Sequence, residues 1–286
     1  MVVRIMLLAT LMLVAGSVGA AEGADPFPRM ASAYLVQIQG KTVWARRPLR
    51  RLPQASLTKI MTALLVLERC KLDEVVTVSR RAARETGSRI GLRVGERFRL
   101  EDLLAAMLVA SANDACHALA DHLAGSEERF VALMNARARG LGLDNSRFAN
   151  ACGHDAPNHY STARDLAILA ETALKNPAFG RLVSSKRLKI RTVDRRRAFS
   201  LVNRNKLLGR SVGVSGVKTG YTENAGRCLV ALAERDGTRV LLVLLHAPHR
   251  FRDAVVMIER AFAVAPPGRF GNRSTAPFSK RSGHHQ

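Results

Sequence analysis

Hydrophobic spacing changes along the 286-residue chain, and each change predicts a different element. Residues 31–38 alternate apolar and polar as a half-buried strand does, and Gly40 turns the chain into a second strand over 42–46. Pro53 then precedes a helix predicted over 54–69, whose apolar positions Leu57, Ile60, Met61, Leu64, Leu65 and Leu67 recur at helical spacing. Residues 75–78 suit a short strand, followed by a loop punctuated by Gly87, Gly91 and Gly95. Three helical patterns cover 101–110, 113–123 and 127–139, with Ser126 placed to cap the third. A loop over 145–160 leads to Ser161-Thr162, which cap a helix running to Leu174.

The last third reads differently. Strands are predicted over 188–193, 214–218, 227–234 and 239–246, with Asp236-Gly237 as a hairpin turn. A closing helix spans 251–264, and Pro266-Pro267-Gly268 stops it. Strands at both ends therefore flank a helical middle. That order predicts an α+β fold in which both chain ends build one antiparallel sheet, flanked by helices, with a helical subdomain inserted.

Composition adds compartment more than function. At 47% hydrophobic and 24% charged the chain carries enough apolar material for a core, which excludes wholesale disorder. Its 45 Lys+Arg against 23 Asp+Glu leave a net charge of +22, a balance that raises nucleic acid, anionic membrane or anionic polymer as partners. The cations are scattered arginines such as Arg195-Arg196-Arg197, and only 5% of residues are aromatic, too few for base-stacking platforms. No nucleic-acid partner is expected, and the excess reads mainly as Arg bias on a solvated surface. Residues 1–20 read as a signal peptide: Arg4, an apolar run over 5–15, then small residues ending at Ala20. Export to periplasm or cell exterior follows. Residues 21–30 form a lead, 31–264 one folded domain, and 265–286 a basic, disordered tail. The four cysteines show no paired or metal-type spacing, and Cys116 and Cys228 read as buried free thiols. No cofactor or metal signature is present.

Three short motifs carry the chemistry: Ser56-Leu57-Thr58-Lys59, Ser111-Ala112-Asn113 and Lys218-Thr219-Gly220. Each alone has an ordinary structural explanation, but the ordered set is specific. Ser56 near a helix start would point its hydroxyl at a cleft and its N–H at a nascent oxyanion. Lys59, three residues on, shares that face. A lysine accepts a serine proton only as the free amine, which burial and neighbouring cations such as Lys218 favour. Ser111 sits on a break between helices, where it or Asn113 could equally cap the next helix. Ser111 could instead relay a proton from Lys59 to a leaving amine, and Asn113 could bind a substrate carbonyl. Lys218 and Thr219 can hold a carboxylate, Gly220 allows close approach to the strand edge, and the Tyr221 N–H can complete an oxyanion hole.

With its flanks, Pro53 through Ala63 resembles the nucleophile helix of the D-alanyl-D-alanine carboxypeptidases, the low-molecular-mass penicillin-binding serine peptidases. Further landmarks similar to that family are Tyr160 through Asp165, Asn203 through Leu208, and Gly216 through Thr222 followed by Ala225-Gly226. The resemblance runs over roughly residues 31–262. It implies a β-lactamase/transpeptidase-like fold and two-step acyl transfer on peptidoglycan stem peptides ending in D-Ala-D-Ala, with β-lactams as covalent inhibitors. It implies catalytic roles for Ser56 as nucleophile, Lys59 as general base and Ser111 as proton relay. Asn113, Lys218, Thr219, Gly220 and Tyr221 would bind substrate, with Arg250 on its terminal carboxylate. The sequence departs from the family pattern at Ala112, where Gly is common, and at Gly153-His154-Asp155, where Gly-Leu-Asp is usual. Neither the further β-domain nor the amphipathic membrane helix of many relatives is expected after Val264.

Other readings remain open. A D,D-endopeptidase or transpeptidase keeps the same motifs, because acceptor choice lies in cleft shape. A class A-like β-lactamase would need a Glu-x-x-Leu-Asn loop before Lys218, and Glu171 begins the nearest approximation. A non-catalytic wall-polymer-binding protein would use the basic surface alone, and peripheral contact with anionic polymer or membrane fits any of these.

Overall fold

The computed structural model describes residues 25–266. The signal peptide expected over 1–20 and all but the first two residues of the expected tail lie outside them. In chain order the elements begin with β1 (Ala33–Ile38) and β2 (Lys41–Arg46), then a 3-10 turn (Ala55–Thr58) continuing into α1 (Lys59–Arg69). Next come β3 (Val75–Thr77), α2 (Arg80–Ala83) and β4 (Arg97–Arg99). The helical middle comprises α3 (Leu100–Val109), α4 (Asn113–Ala124), α5 (Glu127–Gly140), α6 (Ala163–Leu174) and α7 (Pro177–Ser184). The chain closes through β5 (Arg187–Arg191), β6 (Ala198–Val202), β7 (Val214–Thr222), β8 (Gly226–Arg235), β9 (Thr238–Leu245) and α8 (Arg250–Val264).

The main sheet is five-stranded and antiparallel, in the order β2-β1-β9-β8-β7, so both chain ends do build it. Period-two alternation on β1 divides the core. Ala33 and Leu35 face the helical middle, whereas Tyr34, Val36 and Ile38 face the layer that holds Met257, Ile258 and Ala261 of α8. Helix α1 is the central post, packed against α3, α4, α5 and α6. Its Ile60, Met61 and Leu65, with Leu57 just before, are fully buried, each contributing about 1.5–3 kcal/mol of transfer free energy. Ser126 and Thr162 cap α5 and α6 as expected.

Four elements were not foreseen: α2, β4, α7 and β6. Asn176-Pro177 did carry a start signal for α7, since Asn176 Oδ1 accepts from the Ala178 N–H and proline occupies the first turn. Strand β6 follows the arginine cluster at 195–197 and pairs only with β5 in a two-stranded ribbon, so its alternation is short. The helix expected over 54–69 is corrected at its start. Ala55 has φ 49°, which no α-helix accepts, and 55–58 tighten into a 3-10 turn before α1 begins at Lys59.

Candidate active site

The 3-10 turn is the first device. Residues i and i+3 eclipse one another in that geometry, so Ser56 and Lys59 stand in one line, and Lys59 Nζ donates to Ser56 Oγ at 3.1 Å. Lys59 is fully buried and its Nζ has two further acceptors, Asn113 Oδ1 at 2.7 Å and the Cys152 carbonyl at 2.5 Å. His159 holds the turn from beneath. Its Nδ1 accepts from the Ala149 N–H at 2.8 Å, leaving Nε2 to meet Thr58 Oγ1 at 2.8 Å. Burial lowers the His159 pKa to about 4, so the ring is neutral at pH 7.

The break between α3 and α4 supplies the second wall. Ser111 has φ 61°, a left-handed conformation that stops α3 and turns the hydroxyl inward. Neither Ser111 nor Asn113 caps α4: Ala112 occupies that position without a side-chain bond. Asn113 Nδ2 donates instead to the Thr86 carbonyl at 2.7 Å. Asp114 accepts from the N–H groups of Ile90, Gly91 and Leu92, which ties the glycine-punctuated loop to the same helix end.

Strand β7 forms the third wall and is an edge strand of the sheet. Its Lys218 is buried and donates to Ser111 Oγ at 2.8 Å and to the Thr219 carbonyl at 3.0 Å. Burial first, then the Lys59 and Arg250 cations, push the Lys218 pKa well below the usual lysine range. Folded Lys218 thus releases its proton more readily than unfolded Lys218, and its contribution to stability rises with pH toward the unfolded lysine value. Lys218→Met is accordingly expected to raise Tm by roughly 2–4 °C while removing activity, read by calorimetry and by turnover. A fall in Tm would show that the bonds to Ser111 and Thr219 outweigh the desolvation.

Gly220 serves the protein as well as any ligand. A Cβ there would stand 3.0 Å from the Gln54 carbonyl oxygen and 3.2 Å from the Ser56 nitrogen, so the missing side chain lets β7 lie against the nucleophile turn. Arg250, at the start of α8, donates to the Gly220 carbonyl and to the Cys228 carbonyl at 3.2 Å. It is half-buried rather than solvated. The Thr219 side chain is buried beside Lys218, while the Tyr221 side chain is exposed, leaving its backbone as the part of the residue on the strand edge. Every sequence-predicted site residue but Arg250 therefore lies on one of these three walls, and Arg250 reaches the third from α8. One link differs: among the described residues Ser111 is bonded to Lys218, and no hydrogen bond joins it to Lys59.

Sequence reasoning missed the segment 150–155. Asn150 Oδ1 accepts from the N–H groups of Cys152, Gly153 and His154, folding a tight loop whose Cys152 carbonyl meets Lys59. Gly153, at φ 90°, presses on Ala55, and Asp155 accepts from Thr222 Oγ1 at 2.6 Å, joining the loop to the end of β7. The signal was Gly153 itself, and His154 in the place of the usual Leu does not disturb either contact.

A family model described as D-alanyl-D-alanine carboxypeptidase, peptidase family S11, matches residues 26–249. The chain belongs to this family. Among S11 relatives, D-alanyl-D-alanine carboxypeptidase DacF of Bacillus subtilis is 38% identical over 259 residues, covering 88% of this chain and 64% of that one. A D-alanyl-D-alanine endopeptidase of Pseudomonas aeruginosa is 33% identical over 261 residues, covering 85% and 83%. The crystal structure of the Streptomyces K15 DD-transpeptidase superposes with a TM-score of 0.77 at 32% identity, covering 82% of this chain and 98% of that one. The β-lactamase/transpeptidase-like α+β fold is thus shared. The S11 chain spans a little under two thirds of the first curated relatives, 64% of DacF and 62% of Escherichia coli DacC.

Proposed function

We propose that this chain is an exported serine-type D-alanyl-D-alanine carboxypeptidase whose catalytic domain spans residues 31–264. The observation that carries this reading is the Ser56 Oγ–Lys59 Nζ contact of 3.1 Å, set opposite the Lys218–Ser111 contact of 2.8 Å beside an edge strand. A peptide lying along β7 would add as a further strand. Ser56 Oγ attacks the carbonyl of the penultimate D-alanine and its proton passes to Lys59. The oxyanion sits between the N–H groups of Ser56 and Tyr221. Ser111 hands its proton to the leaving amine and takes another from Lys218, to which it is bonded at 2.8 Å, and free D-alanine departs. Water then cleaves the ester, its proton passing through Ser111 to Lys218, while Lys59 returns the first proton to Ser56 Oγ. Lys218, Thr219 and Arg250 form the cationic and hydroxyl side that receives the terminal carboxylate, and Asn113 orients the donor from the opposite wall. Penicillins would acylate Ser56 through the same step.

Glu171 does not support the β-lactamase alternative, because it lies on α6 and pairs with Arg239 at 2.6 Å. An endopeptidase or transpeptidase, the activities named for two of the relatives, would need the same reacting groups on another bond or acceptor. Partner contact with anionic wall polymer is favoured by a basic groove of about 650 Å³ beside Ala110, lined by Arg89, Lys186, Arg187, Arg204, Lys206 and Arg210. None of these six is ion-paired among the described residues.

The deciding experiment follows D-alanine release from a stem peptide ending in D-Ala-D-Ala, alongside cross-linked muropeptides and a reporter penicillin. Stoichiometric D-alanine release with slow penicillin turnover is expected. Preferential cleavage of the cross-link would establish the endopeptidase, and rapid penicillin hydrolysis the β-lactamase. Binding to sacculi without any turnover would leave only the non-catalytic reading.

A further inference from the structure

Behind the loop that supports Lys59 lies a cluster with no part in the acyl transfer. Glu85, His117 and Cys152 each offer a ligating atom within 4.8 Å of the other two. His117 is buried, and its Nε2 meets Glu85 Oε2 at 2.6 Å and Glu127 Oε1 at 3.4 Å. His154 Nε2 stands 3.3 Å from Glu85 Oε1. One ring nitrogen here, His117 Nδ1, is buried without a hydrogen-bond partner among the described residues. An orphaned buried imidazole nitrogen calls for an explanation, since it forfeits its hydration. Glu85, His117, Glu127 and His154 also line an open cavity of about 730 Å³, which supplies an entry path.

We propose that Glu85, His117 and Cys152, with His154 as fourth donor, form a regulatory site for a thiophilic divalent cation, Zn²⁺ being the natural occupant. The donor set of one thiolate, two imidazoles and one carboxylate suits zinc in tetrahedral geometry. At bond lengths of about 2.0–2.3 Å a tetrahedral zinc holds its donors roughly 3.3–3.8 Å apart, so closing the shell takes shifts of about 1 Å in Glu85, His117 and Cys152, and a larger swing of His154, which meets only Glu85 of the three. Arg80, Arg81 and Arg84 line the same cavity and repel every dication alike, so selection rests on the sulfur and nitrogen donors. Binding replaces the Cys152 S–H bond with an S–Zn bond, and the thiol proton goes to solvent. Burial holds that thiol protonated in the free protein, whereas a coordinating cation deprotonates it outright. In the free protein the Cys152 thiol faces the Asn113 carbonyl at 3.7 Å, and the neighbouring Cys116 thiol donates to the Ala151 carbonyl at 3.3 Å. None of this was visible as spacing, because the donors come from positions 85, 117, 152 and 154, brought together only by folding.

The site reaches the catalytic lysine through one residue. The carbonyl of Cys152 accepts from Lys59 Nζ, and its neighbour Gly153 bears on Ala55. A metal drawn onto the Cys152 sulfur shifts this segment and slows turnover without blocking the cleft, a loss in kcat rather than a rise in KM. The binding claim stands apart from the proposed activity, because its readout needs no substrate.

The test titrates the full chain with Cd²⁺, following the thiolate-to-metal ultraviolet band, and with Zn²⁺ against a chelator dye. A Cys70→Ser/His122→Gln background removes the other three-donor cluster, Cys70, Glu74 and His122. One equivalent of metal and one band are expected in that background. The band should vanish in Cys152→Ser, and affinity should fall at least about 10–100-fold in His117→Gln and Glu85→Gln. Unaltered affinity in both of the latter variants overturns the proposal even if Cys152→Ser does not fold. So does the absence of a band in the background protein.

Discussion

Ser56→Ala is expected to abolish labelling by a reporter penicillin and to cut D-alanine release at least about 10⁴-fold. The fold should hardly notice the change. Among the described residues the Ser56 hydroxyl has a single hydrogen-bond partner, Lys59 Nζ, and that nitrogen keeps Asn113 Oδ1 and the Cys152 carbonyl as acceptors. Loss of one half-exposed hydroxyl with no orphaned partner costs about 0.5 kcal/mol or less, so Tm should stay within about 2 °C of the parent. Stopped-flow acylation and calorimetry on the same preparation measure both. Labelling that survives the substitution would remove Ser56 from the mechanism, and a collapse in Tm would make lost activity uninformative about chemistry.

The second large effect comes from a residue that carries no functional group. Gly153→Ala puts a Cβ 2.1 Å from the Ala55 carbonyl oxygen and 2.8 Å from the Ser56 nitrogen, both backbone atoms. Something must move, and the nearest thing to move is the turn that aims the nucleophile. Overpacking together with a side chain at φ 90° is expected to cost at least about 2 kcal/mol, or roughly 4–8 °C in Tm. Displacing Ser56 by about 1 Å should lower the acylation rate about 10²-fold. Gly142→Ala is the matched control. It also has a positive φ, 67°, but a Cβ there meets nothing within 4 Å, so it should cost only about 1 kcal/mol and leave acylation unchanged. Equal effects at the two positions would assign the damage to backbone conformation and not to collision.

Much of this molecule was readable because its local signals agree. The alternation of β1 and the helical spacing of Leu57, Ile60, Met61 and Leu65 each reflect one buried face, which is a local property of the chain. The order of strands and helices then predicted a sheet closed by both ends, and the sheet is so built. What failed was short or shared. Strand β4 has three residues and exists only because β3 lies beside it, and β6 depends on β5 in the same way. A strand's hydrogen bonds belong to its partner, so so short a segment carries little period of its own.

The three motifs set out the reacting groups, but their pairing was not in them. By itself the sequence determined which residue types are available, that Ser56 and Lys59 share a face, and that Lys218 ends a strand at a glycine. Any turn with i and i+3 aligned would do the first, since that proximity is set over a few bonds. Only the tertiary structure decided that Lys218 meets Ser111, 107 positions away. It also decided that Lys218 is the lysine which burial and two cations drive toward the free amine. Likewise it brought the Cys152 carbonyl to Lys59 and His117 to within reach of Glu85 and the Cys152 thiol. Such features depend on desolvation and on distances between segments far apart in sequence. Both quantities arise only when the sheet edge, the helix break and the 150–155 loop close on the same turn.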